Sequence, residues 1–552
     1  MIKVSNIKLP VGHDNHALLL AIGKKLRIPK EQIGNIQILK RSIDARKKPQ
    51  LYFVYQVLVE TDQEHKILQF LQKKHKRPSQ DIEHYNNQAH NPLRTGEELL
   101  ENRPVVIGTG PAGLMAALLL AENGYKPLVF ERGKNVHKRA DDIQLFWQTG
   151  ELHPESNVQF GEGGAGTFSD GKLTTRIRDT RIDKVYQYLV EAGAPEEILY
   201  INKPHIGTDK LRLVVERLRN RLEHLGGEVF FNHKLIDMEI KNNELQGVLI
   251  KNLETEQYIF YPTQQVVLAI GHSARDTYEM LHRRNVSMDA KALAIGVRIE
   301  HPQTMINYSQ YGAYDIHSSL GAAEYQLVKK KDLNCNRTVY SFCMCPGGVV
   351  VAAASEPGGV VTNGMSYHAR DLKNANAALV VNIDPEDFGY SQGKSPLLGI
   401  DYLRKWERQA FNLGGGNYHA PAQLVKDFLQ GVPTEDFTNT IVTPSYSPGV
   451  KGANLHECLP DFVAEALMVA IREFGKRIAG FDMGDAVLTG VETRTSSPIR
   501  IHRLDNGESV SLKGLYPTGE GAGYAGGIIS AAVDGLKAAE QIISKYAPIK
   551  LK

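Results

Sequence analysis

Val105–Glu131 reads VVIGTGPAGLMAALLLAENGYKPLVFE, and this stretch decides the fold. An apolar strand-like run ends in the pattern Gly108-Thr109-Gly110-Pro111-Ala112-Gly113, which opens a helix, PAGLMAALLLAENG. A second apolar run, KPLVFE, closes on Glu131, 18 residues after Gly113. Gly108 permits a tight turn, Gly110 lets backbone approach a pyrophosphate, and Gly113 lets helix and strand pack closely. The helix N-terminus presents unpaired N–H groups and the positive end of its dipole to phosphates. Glu131 stands where a carboxylate accepts hydrogen bonds from ribose hydroxyls, and its charge disfavours the 2′-phosphate of NADP. Strand, loop, helix, strand and acid fall in order, which a chance glycine-rich loop does not achieve. The stretch binds an adenine dinucleotide.

Three further segments choose among dinucleotides. Glu131 is followed by the polar run RGKNVHKRADDIQLFWQTGEL, beginning at Arg132, whose Arg139 resembles an arginine that flavin hydroxylases place beside the FAD phosphates. Phe160–Lys172, FGEGGAGTFSDGK, has five glycines in thirteen residues. Backbone so free of side chains can lie against a flat or anionic ligand, which makes Gly163, Gly164, Ala165, Gly166 and Lys172 cofactor candidates. Gly514–Ala539, GLYPTGEGAGYAGGIISAAVDGLKAA, runs from a strand through an acidic loop (Gly519, Glu520) to a helix that starts at Gly526-Gly527-Ile528. Such a helix aims its amides at the flavin C2 carbonyl and N1, where negative charge develops on reduction. A nicotinamide enzyme has no need of that arrangement, so the expected cofactor is FAD.

The rest of the chain sets the frame. At 552 residues it exceeds one hydrophobic core, and two or three domains are expected. Hydrophobic residues make up 42% and charged ones 23%, as in soluble globular proteins. The start MIKVSNIKLP lacks the apolar core of a signal peptide, and no apolar run approaches the roughly 20 residues of a membrane span. Four cysteines are too few for a disulfide scaffold, so a reducing cytoplasm is the expected location. Net charge is +3, but residues 1–100 carry 17 Lys+Arg against 10 Asp+Glu. Basic clusters at Lys24-Lys25, Arg46-Lys47-Lys48 and Lys73–Arg77 would suit nucleic acid or an acidic partner, or simply a solvated face.

The expected fold class is α/β. Residues 1–80 alternate as βαββα, a small ferredoxin-like domain, and 81–102 read as a polar linker. An FAD-binding Rossmann-like domain follows at 103–289 and resumes at 487–552, interrupted by an inserted α+β substrate or cap domain at 290–486.

The runs ESNVQFGEGGAGTFSDGKL, SFCMCPGG, NGMSYHARD, ETRTSSPIRI and GLYPTGEGAGYAGGIISAAVDG together are similar to one family. It is that of the largely uncharacterised bacterial and plastid FAD-dependent (NAD(FAD)-utilising) dehydrogenases, within the glutathione-reductase-like flavoproteins. The resemblance covers nearly all of residues 80–545. It implies a discontinuous FAD domain, and Ala269-Ile270-Gly271 resembles the strand end that approaches the cofactor in that superfamily. No second GxGxxG follows a strand, so the reductant is expected to be a transiently bound NAD(P)H, a protein electron donor, or the small-molecule substrate itself.

Candidates for the chemistry are less specific. Cys343 and Cys345 lie one residue apart in a strand-like run, YSFCMCPGGVVVAAA. Alternation sets their Cα atoms about 6.6 Å apart on one face, so a relaxed disulfide there requires a bulge. Two readings stand: small buried apolar residues, or thiols lining the substrate cavity. By resemblance the segments 355–366 and 492–500 approach the reactive side of the flavin. Arg494 and Arg500 would then hold an anionic substrate or stabilise reduced flavin, unless they form surface salt bridges. Glu356 and Glu492 are acid/base candidates. His205, His272 and His301 form no HxH or HxxxH pair, so no metal is expected, and no GxSxG occurs. The main expectation is an FAD-dependent oxidoreductase that moves a hydride between an organic substrate and FAD. Two rivals are a flavoprotein acting on or recruited to RNA through its basic N-terminal domain, and a non-catalytic flavin sensor.

Overall fold

The computed structural model describes residues 1–74, 81–85, 93–313 and 318–549. Part of the basic cluster Lys73–Arg77 and part of the linker expected at 81–102 lie outside them. The described residues group into two compact units, one from 1–92, 195–204 and 304–323, the other from the remainder.

In the smaller unit, four strands form an antiparallel sheet in the order Ile36–Lys47, Gln50–Val59, Ile2–Pro10, Ile82–His84. Period-two alternation buries Ile2, Val4, Ile7, Phe53, Tyr55 and Val57 against the helix Asn15–Leu26, which contributes Leu18, Ile22 and Leu26. Asp14 caps that helix by accepting from the Ala17 N–H at 2.7 Å. Two differences from the sequence reading appear here. Residues 82–84, read as linker, supply the fourth strand, too short for its alternation to be legible. Residues 195–204 also belong to this unit: the Arg41 N–H donates to the Tyr200 carbonyl at 2.7 Å and the Asn202 N–H to the Arg41 carbonyl at 2.9 Å.

The larger unit contains a five-stranded parallel sheet in the order Leu515–Pro517, Val266–Leu268, Val105–Ile107, Leu128–Phe130, Glu228–Phe230. Its central strands are continuous apolar runs because both faces are covered. The helix Pro111–Glu122 is buried along Ala112–Ala121, which explains why its sequence is apolar all round. The C-terminal helix Ile528–Lys545 packs on it so closely that a Cβ at Gly535 would stand 2.0 Å from the Ala112 carbonyl oxygen. A three-stranded antiparallel sheet, Tyr258–Pro262, Glu244–Asn252, His233–Lys241, is inserted before Val266.

A seven-stranded sheet runs Val328–Lys329, Val339–Cys345, Asn374–Ile383, Leu293–Pro302, Val487–Glu492, Ala420–Leu424, Val450–Gly452. Every pairing is antiparallel except the last. The helix Asp461–Gly475 packs against its central strands. Val487–Glu492 thus belongs to this sheet, not to the nucleotide domain to which the sequence reading assigned it. A six-residue apolar strand carries no mark of which sheet it will join; pairing with Leu293–Pro302 decides that. Among the described residues no helix is long and apolar enough to cross a membrane.

Candidate FAD site and its neighbouring charged clusters

The first motif forms the expected turn. Gly108 has φ +98°, and a Cβ at Gly113 would lie 1.9 Å from the Gly108 carbonyl oxygen. A Cβ at Gly110 would meet nothing nearer than Gly164 Cα, at 3.9 Å. Gly110 caps the helix Pro111–Glu122 with no side-chain partner for the first-turn N–H groups, so those donors remain available to an anion.

The three glycine segments come together. The Gly163 N–H donates to the Thr109 carbonyl at 3.0 Å, a Cβ at Gly166 would contact Ile528 Cγ1 at 3.1 Å, and one at Gly519 would contact Ala112 Cβ at 2.8 Å. Pro111, Gly163, Gly166 and Ile528 also wall one apolar cavity of about 30 Å³. Ala165 begins the short helical turn Ala165–Phe168. The helix Ile528–Lys545 starts at Gly527, φ +84°, again with no side-chain cap. Gly526 and Gly527 are exposed, and no atom lies within 4 Å of a Cβ built at Gly271, Gly526 or Gly527. Beside them Nδ1 of His272 stands 3.4 Å from Glu520, while its buried Nε2 has no partner. Two uncapped glycine helix starts, open glycine backbone and an orphaned ring nitrogen are features that a flavin dinucleotide fits.

Four charged residues expected to touch the cofactor have other partners. Glu131 is buried at the strand end, and its oxygens accept from the Thr109 N–H and hydroxyl (2.9 and 2.8 Å) and from the Gly133 and Gly161 N–H groups (2.9 and 3.0 Å). The carboxylate clamps the first glycine loop to the second. Arg139 is fully buried and gives its donors to the carbonyls of Asn157, Val158, Gly161, Glu162 and Gly164. It shapes the glycine loop from behind, with each of its three guanidinium nitrogens bound to backbone carbonyls. Arg132 pairs with Glu155 and Asp276 and lies 4.1 Å from the Phe160 ring centroid. Lys172, at the far end of the loop, pairs with Glu324 at 3.1 Å and approaches Asp170 at 3.9 Å. Burial alone would lower its pKa, but those two carboxylates raise it.

The catalytic candidates separate into two clusters and one outlier. Arg494 is buried beside Glu407, 3.4 Å away. Arg275 makes a bidentate pair with Glu407 (2.9 and 2.7 Å) and also binds Glu356. Burial and the neighbouring Arg275 pull the Arg494 pKa down to about 10, so it stays cationic at neutral pH. Burial alone would raise Glu356, yet Arg404, Arg275 and Arg494 bring it down to about 2. It is therefore a fixed carboxylate and not a proton donor. Its stabilising contribution is complete above the usual glutamate pKa and lost as pH falls through about 2. Glu356→Gln is expected to flatten the acid limb of melting temperature against pH; an unchanged limb would refute the pairing.

The second cluster is built on Arg298, 0% exposed, which holds Glu492 at 2.7 and 3.0 Å and also donates to the Cys343 carbonyl at 2.8 Å and to Asn376 and Asn363. Glu492 accepts from the Thr362 hydroxyl as well, at 3.1 Å. Glu492 is thus buried and held by three hydrogen bonds from Arg298 and Thr362. Arg500 is exposed on the strand Ile499–Ile501, near the Tyr524 ring, away from both clusters.

Thr109, Arg275, Arg298 and Glu407 were absent from the sequence candidates. A charged residue inside the apolar run LAIGVRIEH was a usable signal for Arg298; nothing local marks Glu407. Among the described residues no group of three or more His, Cys, Asp or Glu side chains is placed to hold a metal ion.

The parallel sheet, its glycine cradle and the C-terminal helix start define an FAD-binding flavoprotein. The comparisons agree: residues 292–495 match the model "FAD-dependent protein, C-terminal domain-like", 106–154 match "NAD(P)-binding Rossmann-like domain", and 1–60 match a domain of unknown function. An uncharacterised protein of Clostridium beijerinckii is 52% identical over 547 residues, covering 99% of each chain. The chain belongs to the same family of FAD-dependent proteins as that relative, and its cofactor is FAD. Solved structures with some likeness include the E. coli quinol fumarate reductase FrdA (12% identity, 81% of this chain and 70% of that one, TM-score 0.33). CtdE in complex with FAD is similar at 11% identity (80% and 82% covered, TM-score 0.31). A geranylgeranyl bacteriochlorophyll reductase-like protein of Thermoplasma acidophilum is similar at 12% (81% and 78%, TM-score 0.33). Scores this low say nothing of the reaction.

Proposed function

We propose that this chain is an FAD-dependent dehydrogenase or reductase, of the glutathione-reductase-like type, that moves a hydride between an organic substrate and FAD. The observation carrying the reading is the open glycine cradle formed by Gly110, Gly271, Gly526 and Gly527 with its two uncapped helix starts. Bound FAD supplies a hydride acceptor and donor. The N-terminal amides of Pro111–Glu122 would hold the pyrophosphate, and Glu131 at the strand end would accept from a ribose hydroxyl. The start of Ile528–Lys545 stabilises negative charge on the flavin ring. Thr109 and Gly163 hold the two loops in register while this happens. Arg494, buried and cationic, orients an anionic substrate, with Arg275 and Glu407 fixing its direction.

The purified protein is expected to absorb near 450 nm, the flavin band, at about one flavin per chain. An anaerobic screen of NADH, NADPH and metabolites should find a compound that bleaches it. Stable flavin that no reductant in the panel bleaches would favour the sensor reading; a colourless folded protein would sink the proposal.

Recruitment to RNA rests on the basic N-terminal residues. In the structure Lys25 pairs with Asp81 at 2.9 Å, and Lys8 and Arg46 share Asp44, so part of that charge is neutralised internally. RNA affinity falling steeply with salt would revive this reading. The four free cysteines suit a reducing compartment such as the cytoplasm.

A further inference from the structure

The strand Val339–Cys345 is bulged at its cysteines. Phe342 pairs with Ala378 and Cys345 with Asn376, so three residues on one strand span two on the other. Cys343 carries the distortion at φ +42°, a left-handed conformation that non-glycine residues rarely adopt. Regular alternation would have held the two Cα atoms near the upper limit for a disulfide, and the bulge breaks that alternation at the pair. The Cys345 thiol donates to the Cys343 carbonyl at 3.3 Å, so the two residues already interact.

Their surroundings differ. Cys345 is buried at 0% exposure, while Cys343 is partly exposed. Arg298 reaches the pair through a gap left by Gly364, where a Cβ would stand 2.5 Å from Arg298 Nη1 and 3.0 Å from Cys345 Sγ. The neighbouring Cys345 side chain, with Arg298 and Lys172 nearby, draws the Cys343 thiol below its usual value against the opposing effect of burial. The Cys345 thiol is pushed up by the Cys343 side chain and by burial. Cys335 and Cys458 are both buried, and burial raises Cys458.

We propose that Cys343 and Cys345 form a redox-active dithiol that reduces a low-molecular-weight disulfide, Cys343 being the attacking thiolate and Cys345 the resolving thiol. The Cys343 thiolate attacks one sulfur of RS–SR; that S–S bond breaks, and RS⁻ leaves and takes a proton from water. Cys345 then gives its proton to solvent and attacks Cys343 Sγ, expelling the second RS⁻, which is protonated in turn. Two electrons pass from the protein thiols to the disulfide, yielding two RSH and a Cys343–Cys345 disulfide. A dithiol reductant restores the starting state. The exchange needs no flavin, so it goes beyond the oxidoreductase reading and does not depend on it.

The test uses the full-length holoprotein, reduced with dithiothreitol, desalted without oxygen and mixed with 5,5′-dithiobis(2-nitrobenzoate). The wild type is expected to release two coloured thiolates per chain in its fast phase and to yield a peptide carrying both cysteines that is lighter by two hydrogens and closed to alkylation. Cys345→Ser should release one thiolate and keep a mixed disulfide at Cys343. Cys343→Ser, and Cys343→Ala as a second replacement, should slow the fast phase by about 100-fold or more. Flavin absorbance and melting temperature of each variant report folding. A persistent mixed disulfide in the wild type, first modification at Cys335 or Cys458, or an unchanged fast phase in both Cys343 variants would overturn the proposal. These outcomes with the flavin spectrum intact would leave the oxidoreductase reading untouched.

Discussion

Gly110→Asp is expected to yield a folded but colourless protein, whereas Gly113→Val is expected to yield little folded protein at all. The two glycines belong to one motif but do different physical work. A Cβ at Gly113 would stand 1.9 Å from the Gly108 carbonyl oxygen and 2.9 Å from its carbon. Both are backbone atoms of the turn, and they cannot yield without separating the helix Pro111–Glu122 from the sheet. Overpacking of a core typically costs about 1–3 kcal/mol; a backbone clash this deep belongs above that range, a large part of the roughly 5–15 kcal/mol that holds a domain together. At Gly110 the nearest atom to an added Cβ is 3.9 Å away, so the apoprotein tolerates a side chain. The aspartate instead fills the approach to the helix start and sets a negative charge against the pyrophosphate. Urea unfolding with flavin absorbance separates the two effects. Equal loss of stability in both variants, or flavin retained by Gly110→Asp, would contradict the assignment.

Arg298→Met should lower the unfolding free energy by about 3–5 kcal/mol, because it strands Glu492 as an unpaired buried carboxylate. The side chains are 0% and 1% exposed, so water cannot solvate what remains. The guanidinium also satisfies Asn363, Asn376 and the Cys343 carbonyl, and the methionine offers them nothing. Adding Glu492→Leu to Arg298→Met removes the stranded charge, and the double variant should be more stable than Arg298→Met alone. Urea denaturation of the two single variants and the double variant closes the cycle. Strict additivity would mean that the pair is not coupled, and the role given to Glu492 here would fall.

The nucleotide half of the site was legible because its chemistry is local. A tight turn, a backbone approach and a helix–strand contact each demand glycine at a fixed offset, so GTGPAG announced its geometry. GEGAGYAGGII did so for the C-terminal helix start, since an uncapped helix opening on two glycines is visible in one dimension. The charged residues were not legible in that way. Arg132 and Arg139 look equally available in RGKNVHKRADD, yet one lies against Glu155 and Asp276 and the other is consumed by five carbonyls. Glu492 looked like a free carboxylate because Arg298, 194 residues earlier, meets it only across adjacent strands. The cysteines were misplaced for a related reason. Alternation assumes a regular strand, and the bulge between Phe342 and Cys345 is set by pairing with Asn374–Ile383, which the run SFCMCPGG does not reveal.

By itself, then, the sequence determined that Val105–Glu131 folds as strand, glycine turn, helix and strand, and that Gly526-Gly527 opens the C-terminal helix. Each of those follows from sterics within a few consecutive residues. Only the tertiary structure decided which strand joined which sheet, which cations were already neutralised, and which of two cysteines was exposed. Those depend on partners distant in the chain, and a charge or a thiol has its chemistry set by what packs against it.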